Sequence, residues 1–510
     1  MFRAAQSRAR TGNPVSGPMR ISLINVQISE GNNIVPPLGI LYIAAVLEQQ
    51  GHEVQVFDVD PDVTPCVEAI AAFDPQVIGL GCYTNTYPKA RRLTARLREA
   101  CPRAVLVCGG VHATAKPLET IQELRADYLV YAEGERSMAQ LARCLETGDL
   151  NGIGSIKGLY YWKDGAVRYN GPPELIDDLD SIPFPARHLL RYAPYLAPPG
   201  MIRGYAMERV TTIFTSRGCP YPCIYCASHI VQGKKVRRRS PANVIAEIEN
   251  LVRDYGIRGF YICDDLVTGD RDWMMEFARQ LAQKNLGLRW ACQARVDRVD
   301  EDMLRLMKQA GCVQLDFGVE SGSDKTLKTM KKKTSTDKAR AAFTLMRRMK
   351  LRACATFILG FPGETEEDME ETYRLARAIN ADYTVFYFLT PYPGTSIYDM
   401  ALQNGWIDPV LVADERFTHR QAAAPIMAIE HSPEKLVAIR RRYQNRFFIR
   451  NYLRLRNLRF YGSLLLALLA SPRDAGRAVA GFLRTLRLDD FVEAVFELHQ
   501  RRYRARLEAR

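Results

Sequence analysis

Short apolar runs alternate with longer stretches of helical spacing over residues 21–135. Apolar residues recur at the helical period in Leu38–Gln50 and Lys89–Glu99. Strands that are apolar along their length and separated by helices indicate a parallel, doubly wound sheet that is covered on both faces. The runs that suit such strands are Ile21–Gln27, Val54–Asp58, Val77–Cys82, Ala104–Cys108 and Tyr128–Tyr131.

A second alternation of strands and helices begins at Thr211. Ser240-Pro241 and Asp300-Glu301 have the residue types that begin helices between these strands. Six such units predict an open, partial (β/α)6 barrel, whose active site lies at the carboxyl ends of the strands. The predicted strands are Thr211–Thr215, Gly259–Cys263, Arg289–Gln293, Val313–Gly318, Arg352–Leu359 and Tyr383–Leu389.

Prolines crowd the stretch between the two alternating regions, with seven of them between Pro172 and Pro199. This density indicates a linker, which contains a small strand pair around Gly158–Tyr169. The predicted organisation is a disordered lead-in (1–19), a doubly wound domain (20–145), a linker (146–205), a partial barrel (206–405) and a helical, basic C-terminal region (406–510).

Composition narrows the class of protein. The chain has 510 residues with 12 scattered cysteines, which excludes a disulfide scaffold and indicates a reducing cytoplasm. The first 19 residues lack the apolar segment of a secretory signal. Residues 440–510 hold 17 arginines, no lysine and six acidic residues, which is +11 of the net charge of +13. This asymmetry indicates an anionic partner for the C-terminal region.

Aromatic and apolar residues in the C-terminal region recur at about helical spacing between the arginines, from Tyr443 to Leu455. Two interpretations stay open. A basic amphipathic helix can lie in a membrane interface, which would place a cytoplasmic protein peripherally at the inner face of the membrane. The same pattern fits a helix that packs on the barrel with a solvated arginine face. The aromatic and apolar content of this region, with the Gly-Gly-Val-His pattern at Gly109–His112, argues against an RNA-modifying enzyme and so against nucleic acid as the partner.

One cysteine cluster carries the chemistry. Cys219, Cys223 and Cys226 follow the first barrel strand within one short loop, and three thiolates suit a soft metal or an iron–sulfur cluster. A structural zinc site needs four ligands. His229, Cys263 or Cys292 could supply the fourth, so a zinc knuckle is the alternative. The position at a strand end and the spacing favour the cluster.

The spacing CxxxCxxC after the first strand of a partial barrel resembles the radical S-adenosylmethionine (SAM) superfamily. The resemblance implies that the three cysteines hold a [4Fe–4S] cluster whose fourth iron binds SAM. It also implies that Tyr225 lies near the adenine and that Asp264 and Asp265 meet the amino group of SAM. Further residues implied to contact SAM are Glu320 and Ser321 at the fourth strand, and Gly360 and Gly363 after the fifth.

The first domain resembles the cobalamin-binding domain that precedes many radical SAM cores. The residues that carry this resemblance, and that it implies bind cobalamin, are Gly109, Gly110, His112, Thr114 and Glu133. The chain lacks the DxHxxG motif whose histidine ligates cobalt in many cobalamin proteins. We therefore expect no histidine ligand to cobalt from this domain.

Together the two resemblances imply a cobalamin-dependent radical SAM methyltransferase that acts on an unactivated carbon of a small molecule. The basic, apolar C-terminal region favours a lipid substrate, and the arrangement is most similar to the hopanoid C-3 methylases. The cluster implies an electron donor of the flavodoxin or ferredoxin type. The sequence assigns no catalytic side chain.

Three alternatives remain at this point. A ring-forming enzyme of the anaerobic magnesium-porphyrin cyclase type has the same two-domain arrangement. An RNA-modifying methylthiotransferase would need a second cluster in the first domain, where Cys66, Cys82, Cys101 and Cys108 lie. A cobalamin-binding sensor with an inactive barrel is the non-catalytic alternative, and the intact cysteine triad argues against it.

Overall fold

The computed structural model describes residues 17–26, 35–59, 63–196, 202, 207, 209–408 and 424–452, with a few isolated residues beyond 460. Most of the predicted lead-in and most of the chain after Tyr452 thus lie outside the described residues. No helix in the described part is long and apolar enough to cross a bilayer.

The first sheet has seven strands in the order β2-β1-β3-β4-β5-β6-β7. Its first five strands are parallel, which confirms the doubly wound arrangement. The strands are β1 (Arg20–Val26), β2 (Glu53–Val59), β3 (Val77–Gly81), β4 (Val105–Gly109), β5 (Tyr128–Val130), β6 (Leu159–Lys163) and β7 (Ala166–Tyr169). The helices are α1 (Leu38–Gln49), α2 (Thr64–Phe73), α3 (Tyr87–Ala100), α4 (Gly110–Ala115), α5 (Pro117–Glu123) and α6 (Glu135–Thr147).

The strand pair expected near Gly158–Tyr169 is present, but it is not an isolated feature of a linker. β6 pairs antiparallel with β5, and β7 pairs antiparallel with β6, so both strands extend the first sheet. The period-two pattern of a hairpin is visible in the sequence, whereas the edge that it joins depends on distant residues.

The second sheet has six parallel strands in the order β15-β14-β13-β12-β11-β8 and forms the predicted open barrel. A two-stranded ribbon of β9 (Ser216–Arg217) and β10 (Arg237–Arg238) lies beside it. The barrel strands are β8 (Val210–Ile213), β11 (Gly259–Ile262), β12 (Arg289–Ala294), β13 (Cys312–Glu320), β14 (Arg352–Leu359) and β15 (Tyr383–Phe388).

Helices α7 (Ser228–Gln232) to α15 (Pro433–Tyr452) follow or connect the barrel strands. Both predicted helix starts are confirmed: Ser240 accepts from the Asn243 amide at 3.1 Å, and Asp300 accepts from the Met303 amide at 3.0 Å. The other helices are α8 (Pro241–Tyr255), α9 (Arg271–Lys284), α10 (Glu301–Gln309), α11 (Asp324–Thr329), α12 (Thr336–Arg348), α13 (Glu366–Ile379) and α14 (Ser396–Gln403).

The last described helix, α15, packs on the barrel. Its side chains Leu436, Tyr443 and Phe447 are buried in the barrel's main apolar core. Tyr443 stacks on Tyr373 of α13 with ring centroids 4.7 Å apart, and Phe447 lies 5.7 Å from Phe386 of β15. For residues 433–447 the structure therefore selects the packed helix over the membrane helix, because the apolar face is already covered.

Candidate functional site

The loop with the three cysteines leaves β8 and is fixed at both ends by backbone contacts. Gly218 has a φ of +94°, and a Cβ there would lie 2.2 Å from the carbonyl oxygen of Lys235, so only glycine fits. The Cys219 amide donates to the Gly233 carbonyl at 3.3 Å, and the Ile224 amide donates to the Met330 carbonyl at 3.2 Å. The loop is thus held in place between the β9–β10 ribbon and the segment after α11.

Asp264 is fully buried at the end of β11 and braces the start of this loop. Its carboxylate accepts from the Thr215 amide at 2.7 Å, from the Thr215 hydroxyl at 2.5 Å and from the Ser216 hydroxyl at 2.5 Å. Burial raises its pKa, and these donors oppose that rise. The expectation that Asp264 meets SAM is therefore corrected: the carboxylate is already occupied in holding the loop.

Asp265, the next residue, faces a cavity instead. Its Oδ1 accepts from the Ser228 hydroxyl at 2.8 Å, and that hydroxyl lies 3.1 Å from the Cys226 thiol. Its Oδ2 is buried and has no hydrogen-bond partner among the described residues. A buried carboxylate oxygen without a donor is costly, so Asp265 fits a ligand that brings an N–H group.

A third acidic group, Glu320, lies at the end of β13 with a φ of +68°, a conformation that few non-glycine residues adopt. Its Oε1 accepts from Lys332 Nζ at 2.7 Å and from the Tyr225 hydroxyl at 3.1 Å. The structure thus brings Tyr225, Glu320 and Lys332 together, a contact that the sequence did not predict. Ser321 points elsewhere, since it is fully buried and contacts Thr372 of α13 at 3.1 Å.

Gly360 and Gly363 form a turn after β14, and both have positive φ, +82° and +76°. Glu364 closes the turn, because its Oε2 accepts from the amides of Gly360 at 2.7 Å and Phe361 at 3.1 Å. Burial raises the pKa of Glu364 to about 8. Phe361 lies edge-on to Tyr225 with centroids 6.4 Å apart, so this turn borders the cysteine loop.

The carboxyl edge of the first sheet opens into a cavity of about 470 Å³. Glycines line its floor, and each would bring a Cβ into contact if replaced: at Gly110, whose φ is +90°, the Cβ would lie 3.0 Å from the Cys82 carbonyl oxygen. The glycines on this edge are Gly79, Gly81, Gly109, Gly110 and Gly134. An edge without side chains lets a large flat ring approach the backbone closely, so these residues fit the corrin.

The same cavity reaches the barrel. Phe214, Ala227, Ser228 and Asp265 line its opposite wall, beside the cysteine loop. The carboxyl edges of both sheets therefore face one shared space, with the glycine edge on one side and the Asp265 carboxylate on the other.

Three residues expected to bind cobalamin are already held by protein contacts. His112 and Thr114 are not among the residues that line the cavity, and Glu133 lines it. His112 is buried, its ring centroid lies 4.0 Å from that of Tyr87 at an interplanar angle of 33°, and its Nδ1 lies 3.2 Å from the Thr84 hydroxyl. Burial lowers its pKa to about 4. The Thr114 hydroxyl joins the ends of β4 and β5, since it donates to Gly110 and accepts from the Ala132 amide. Glu133 lies at the cavity wall, but its carboxylate is engaged by arginines.

These arginines connect the β9–β10 ribbon to the first domain through buried ion pairs. Arg217, two residues before Cys219, pairs with Glu135 at 2.6 Å and with Glu133 at 3.4 Å. Arg237 pairs with Glu133 at 2.6 Å. This network could not be predicted from the sequence, because arginine and glutamate are common on surfaces and the partners are more than 80 residues apart.

Among the described residues, no three His, Cys, Asp or Glu side chains converge as they would around a single metal ion. Cys66, Cys82 and Cys108 are buried in one apolar core of the first domain, with Cys101 packed against it. Cys292 is buried in the barrel core. The first-domain cysteines therefore pack as core residues and do not gather as the second cluster of a methylthiotransferase would require.

Two family models match the chain. The radical SAM superfamily matches residues 213–376, and the B12-binding domain matches residues 24–142. An uncharacterised methyltransferase of Pyrococcus horikoshii is 31% identical over 421 residues, which cover 81% of this chain and 88% of that protein. The cytidylyl-2-hydroxyethylphosphonate methyltransferase of Streptomyces wedmorensis is 29% identical and covers 73% of this chain and 79% of its own length.

The anaerobic magnesium-protoporphyrin IX monomethyl ester cyclase of Rubrivivax gelatinosus is also 29% identical, over 74% of this chain and 69% of the cyclase. Among solved structures, the radical SAM methyltransferase TsrM from Kitasatospora setae superposes with a TM-score of 0.64 at 19% identity, covering 79% of this chain and 83% of TsrM. The cobalamin-dependent SAM radical enzyme OxsB superposes with a TM-score of 0.66 at 15% identity, covering 93% of this chain and 71% of OxsB. These structures share the fold of the chain.

Proposed function

The chain belongs to the cobalamin-dependent radical SAM methyltransferases, and we propose that it methylates an unactivated carbon of a hydrophobic substrate. A [4Fe–4S] cluster, SAM and cobalamin are the cofactors of this enzyme. The observation that carries the proposal is the shared cavity, in which a glycine edge faces the cysteine loop across a space lined mostly by apolar residues.

Each side of the cavity has its own task in this proposal. Cys219, Cys223 and Cys226 hold the cluster, and Gly109 and Gly110 lie against the corrin. When bound, the cofactors supply radical chemistry and a transferable methyl group, which protein side chains cannot supply. The apolar walls exclude water from the space between them, which protects a reactive intermediate from side reactions.

The residues around the cysteine loop orient SAM. Asp265 accepts a hydrogen bond from its amino group through the unpartnered Oδ2. The Glu320–Lys332 pair binds its polar ribose and carboxylate end, and the backbone of Gly360 and Gly363 packs near the adenine. Tyr225 is held by Glu320 at the edge of this site.

For the substrate we propose a hopanoid, methylated at carbon 3 of ring A. A polycyclic hydrocarbon fits the apolar walls of the cavity, and the arginine-rich, apolar region after residue 452 suits a protein that takes its substrate from a membrane surface. The cytoplasmic location with peripheral membrane contact is part of this proposal.

Lipid profiling tests the proposal. A strain that lacks this gene should lose 3-methylated hopanoids and keep the unmethylated ones, and the wild-type gene should restore them. The matched control is a gene with all three cysteines replaced by alanine, which should not restore them. An unchanged hopanoid profile in the deletion strain would exclude this substrate.

The magnesium-porphyrin cyclase relatives support a second candidate, ring formation on a tetrapyrrole. The Rubrivivax gelatinosus cyclase matches about the same share of the chain, 74%, as the Streptomyces wedmorensis methyltransferase, 73%. Methyl transfer is favoured because the first relative described above is a methyltransferase at 31% identity. Accumulation of magnesium-protoporphyrin monomethyl ester in the deletion strain, with intact hopanoids, would favour the cyclase.

A further inference from the structure

Four exposed lysines line a surface groove beside the cysteine loop. Pro222, which lies between Cys219 and Cys223, forms part of the same groove. We call these lysines the lysine patch: Lys328, Lys331, Lys333 and Lys338.

No acidic residue in the described part of the chain forms an ion pair with a lysine of the patch. Neighbouring basic residues differ in this respect: Lys325 pairs with Asp368 at 2.7 Å, and Lys332 pairs with Glu320 at 2.7 Å. Of the two acids within the segment, Asp324 accepts from the Thr336 amide at 2.8 Å, and Asp337 lies exposed in the first turn of α12. Asp324 lines the same groove, so the four lysines and these two carboxylates together leave a net charge of +2 facing solvent.

The patch is fixed relative to the cysteine loop. The Met330 carbonyl accepts from the Ile224 amide, and Arg295 donates to the carbonyls of Lys332 at 2.9 Å and Lys333 at 3.2 Å. The Arg295 guanidinium also stacks on Tyr221 at 3.6 Å. One arginine thus joins the patch to the loop.

The backbone of the patch is held in an uncommon conformation. Lys331 and Lys333 have φ of +52° and +53°, in the left-handed region that non-glycine residues rarely adopt. Such conformations persist where surrounding contacts enforce them, and they concentrate at functional sites. Contacts with Arg295 and the cysteine loop supply that enforcement here.

We propose that the lysine patch docks an acidic one-electron donor protein of the flavodoxin or ferredoxin type. This docking site depends on the proposed function in one respect only, because the enzyme must hold a cluster that has to be reduced. One electron leaves the donor, whose cofactor is oxidised by one electron, and enters the cluster, which goes from the 2+ to the 1+ state. Complementary charge steers such encounters and fixes their orientation, and the loop at Pro222 puts the cluster site next to the patch.

The test compares two reductants on the reconstituted enzyme, with 5′-deoxyadenosine formation as the rate that is measured. One reductant is a bacterial flavodoxin with its reductase and NADPH, and the other is dithionite, which needs no docking surface. The variant is Lys328→Glu/Lys338→Glu, since both positions lie on helices and neither contacts the cysteines. The control is Lys163→Glu/Arg168→Glu, an equal charge change on the exposed β6–β7 hairpin.

We expect the patch variant to lose roughly tenfold or more in the flavodoxin-driven rate, with the dithionite-driven rate and iron content unchanged. Its affinity for flavodoxin, measured by biolayer interferometry at low salt, should fall in parallel. Salt at 0.5 M should abolish the difference in affinity from wild type, because the Debye length then lies between about 3 and 10 Å. The control variant should match wild type.

Three outcomes would overturn the proposal. They are an unchanged flavodoxin-driven rate, an equal loss in the control variant, and an equal loss with both reductants, which would assign the lysines to the structure of the loop. Retention on immobilised RNA that only the patch variant loses, with normal flavodoxin kinetics, would make the patch a nucleic-acid surface. Deoxyadenosine formation without any methylated product would contradict the proposed function and leave the docking site standing.

Discussion

Arg217 and Glu135 join the two halves of the site through a 2.6 Å ion pair in which both side chains are almost completely buried. Arg217 lies two residues before Cys219, and Glu135 begins α6 at the wall of the glycine-lined cavity. The pair therefore sets the position of the cysteine loop relative to the glycine edge of the first sheet.

Replacing Arg217 by methionine should uncouple formation of 5′-deoxyadenosine from methylation of the substrate. Removal of one partner leaves a buried carboxylate unpaired, which typically costs about 3–5 kcal/mol. We expect a lower thermal midpoint and more 5′-deoxyadenosine per methylated product than in wild type. Arg253→Met, which removes an exposed ion pair with Asp254, should change neither quantity.

Asp264 and Asp265 should respond differently to substitution. Hydrogen bonds to a charged acceptor contribute about 1.5–3 kcal/mol each, and Asp264→Ala removes three of them from the start of the loop. We expect iron and sulfide content after anaerobic reconstitution to fall well below wild type. Asp265→Asn should keep its iron and weaken SAM binding, as measured by equilibrium dialysis. Equal iron loss in both variants would refute the separate roles of Asp264 in holding the loop and of Asp265 in binding SAM.

His112 should make stability depend on pH. Burial lowers its pKa from 6.5 to about 4, so the unfolded chain binds a proton that the folded chain does not bind between these values. Stability from this group is therefore present above about pH 6.5 and is lost as pH falls towards 4, by up to about 3 kcal/mol. His112→Asn should show a shallower decline of the thermal midpoint over this range.

The same residue should not bind cobalt. The electron paramagnetic resonance spectrum of the Co(II) form should show no nitrogen hyperfine splitting from a protein histidine. Splitting that disappears in His112→Asn would contradict the buried position of the ring.

Helix α15 should contribute to the stability of the barrel. Phe447→Ala should lower stability by about 3–5 kcal/mol, because it leaves a cavity against Tyr373 and Phe386. Asn445→Ala, at an exposed position of the same helix, is the control and should leave the thermal midpoint unchanged. Liposome flotation should be equal for both variants, since neither position offers an apolar face to a membrane.

Local pattern was enough to predict most of the fold. Each of the eleven strands expected in the two alternating regions is present within three residues of its predicted ends, because buried parallel strands are short apolar runs. The cysteine spacing likewise located the loop after β8. Periodicity and closely spaced motifs depend only on residues that are near each other in the chain, so a single sequence is enough to reveal them.

Long-range partners could not be predicted in this way. Asp264 looked equivalent to Asp265 in sequence, and only the fold shows that its carboxylate reaches Thr215, 49 residues away. Lys332 and Arg295 gave no signal, because their roles depend on Glu320 and Tyr221, which the barrel brings to them. The aromatic stripe of α15 fitted a membrane or a protein core equally well until its neighbours were known.

The most direct test of methyl transfer is the product set of anaerobic turnover with SAM that carries a deuterated methyl group, a hopanoid-containing lipid extract and a reductant. Methyl transfer to a hopanoid should yield both 5′-deoxyadenosine and S-adenosylhomocysteine, together with the deuterated methyl group on the lipid. Formation of 5′-deoxyadenosine without S-adenosylhomocysteine and without labelled lipid would contradict it.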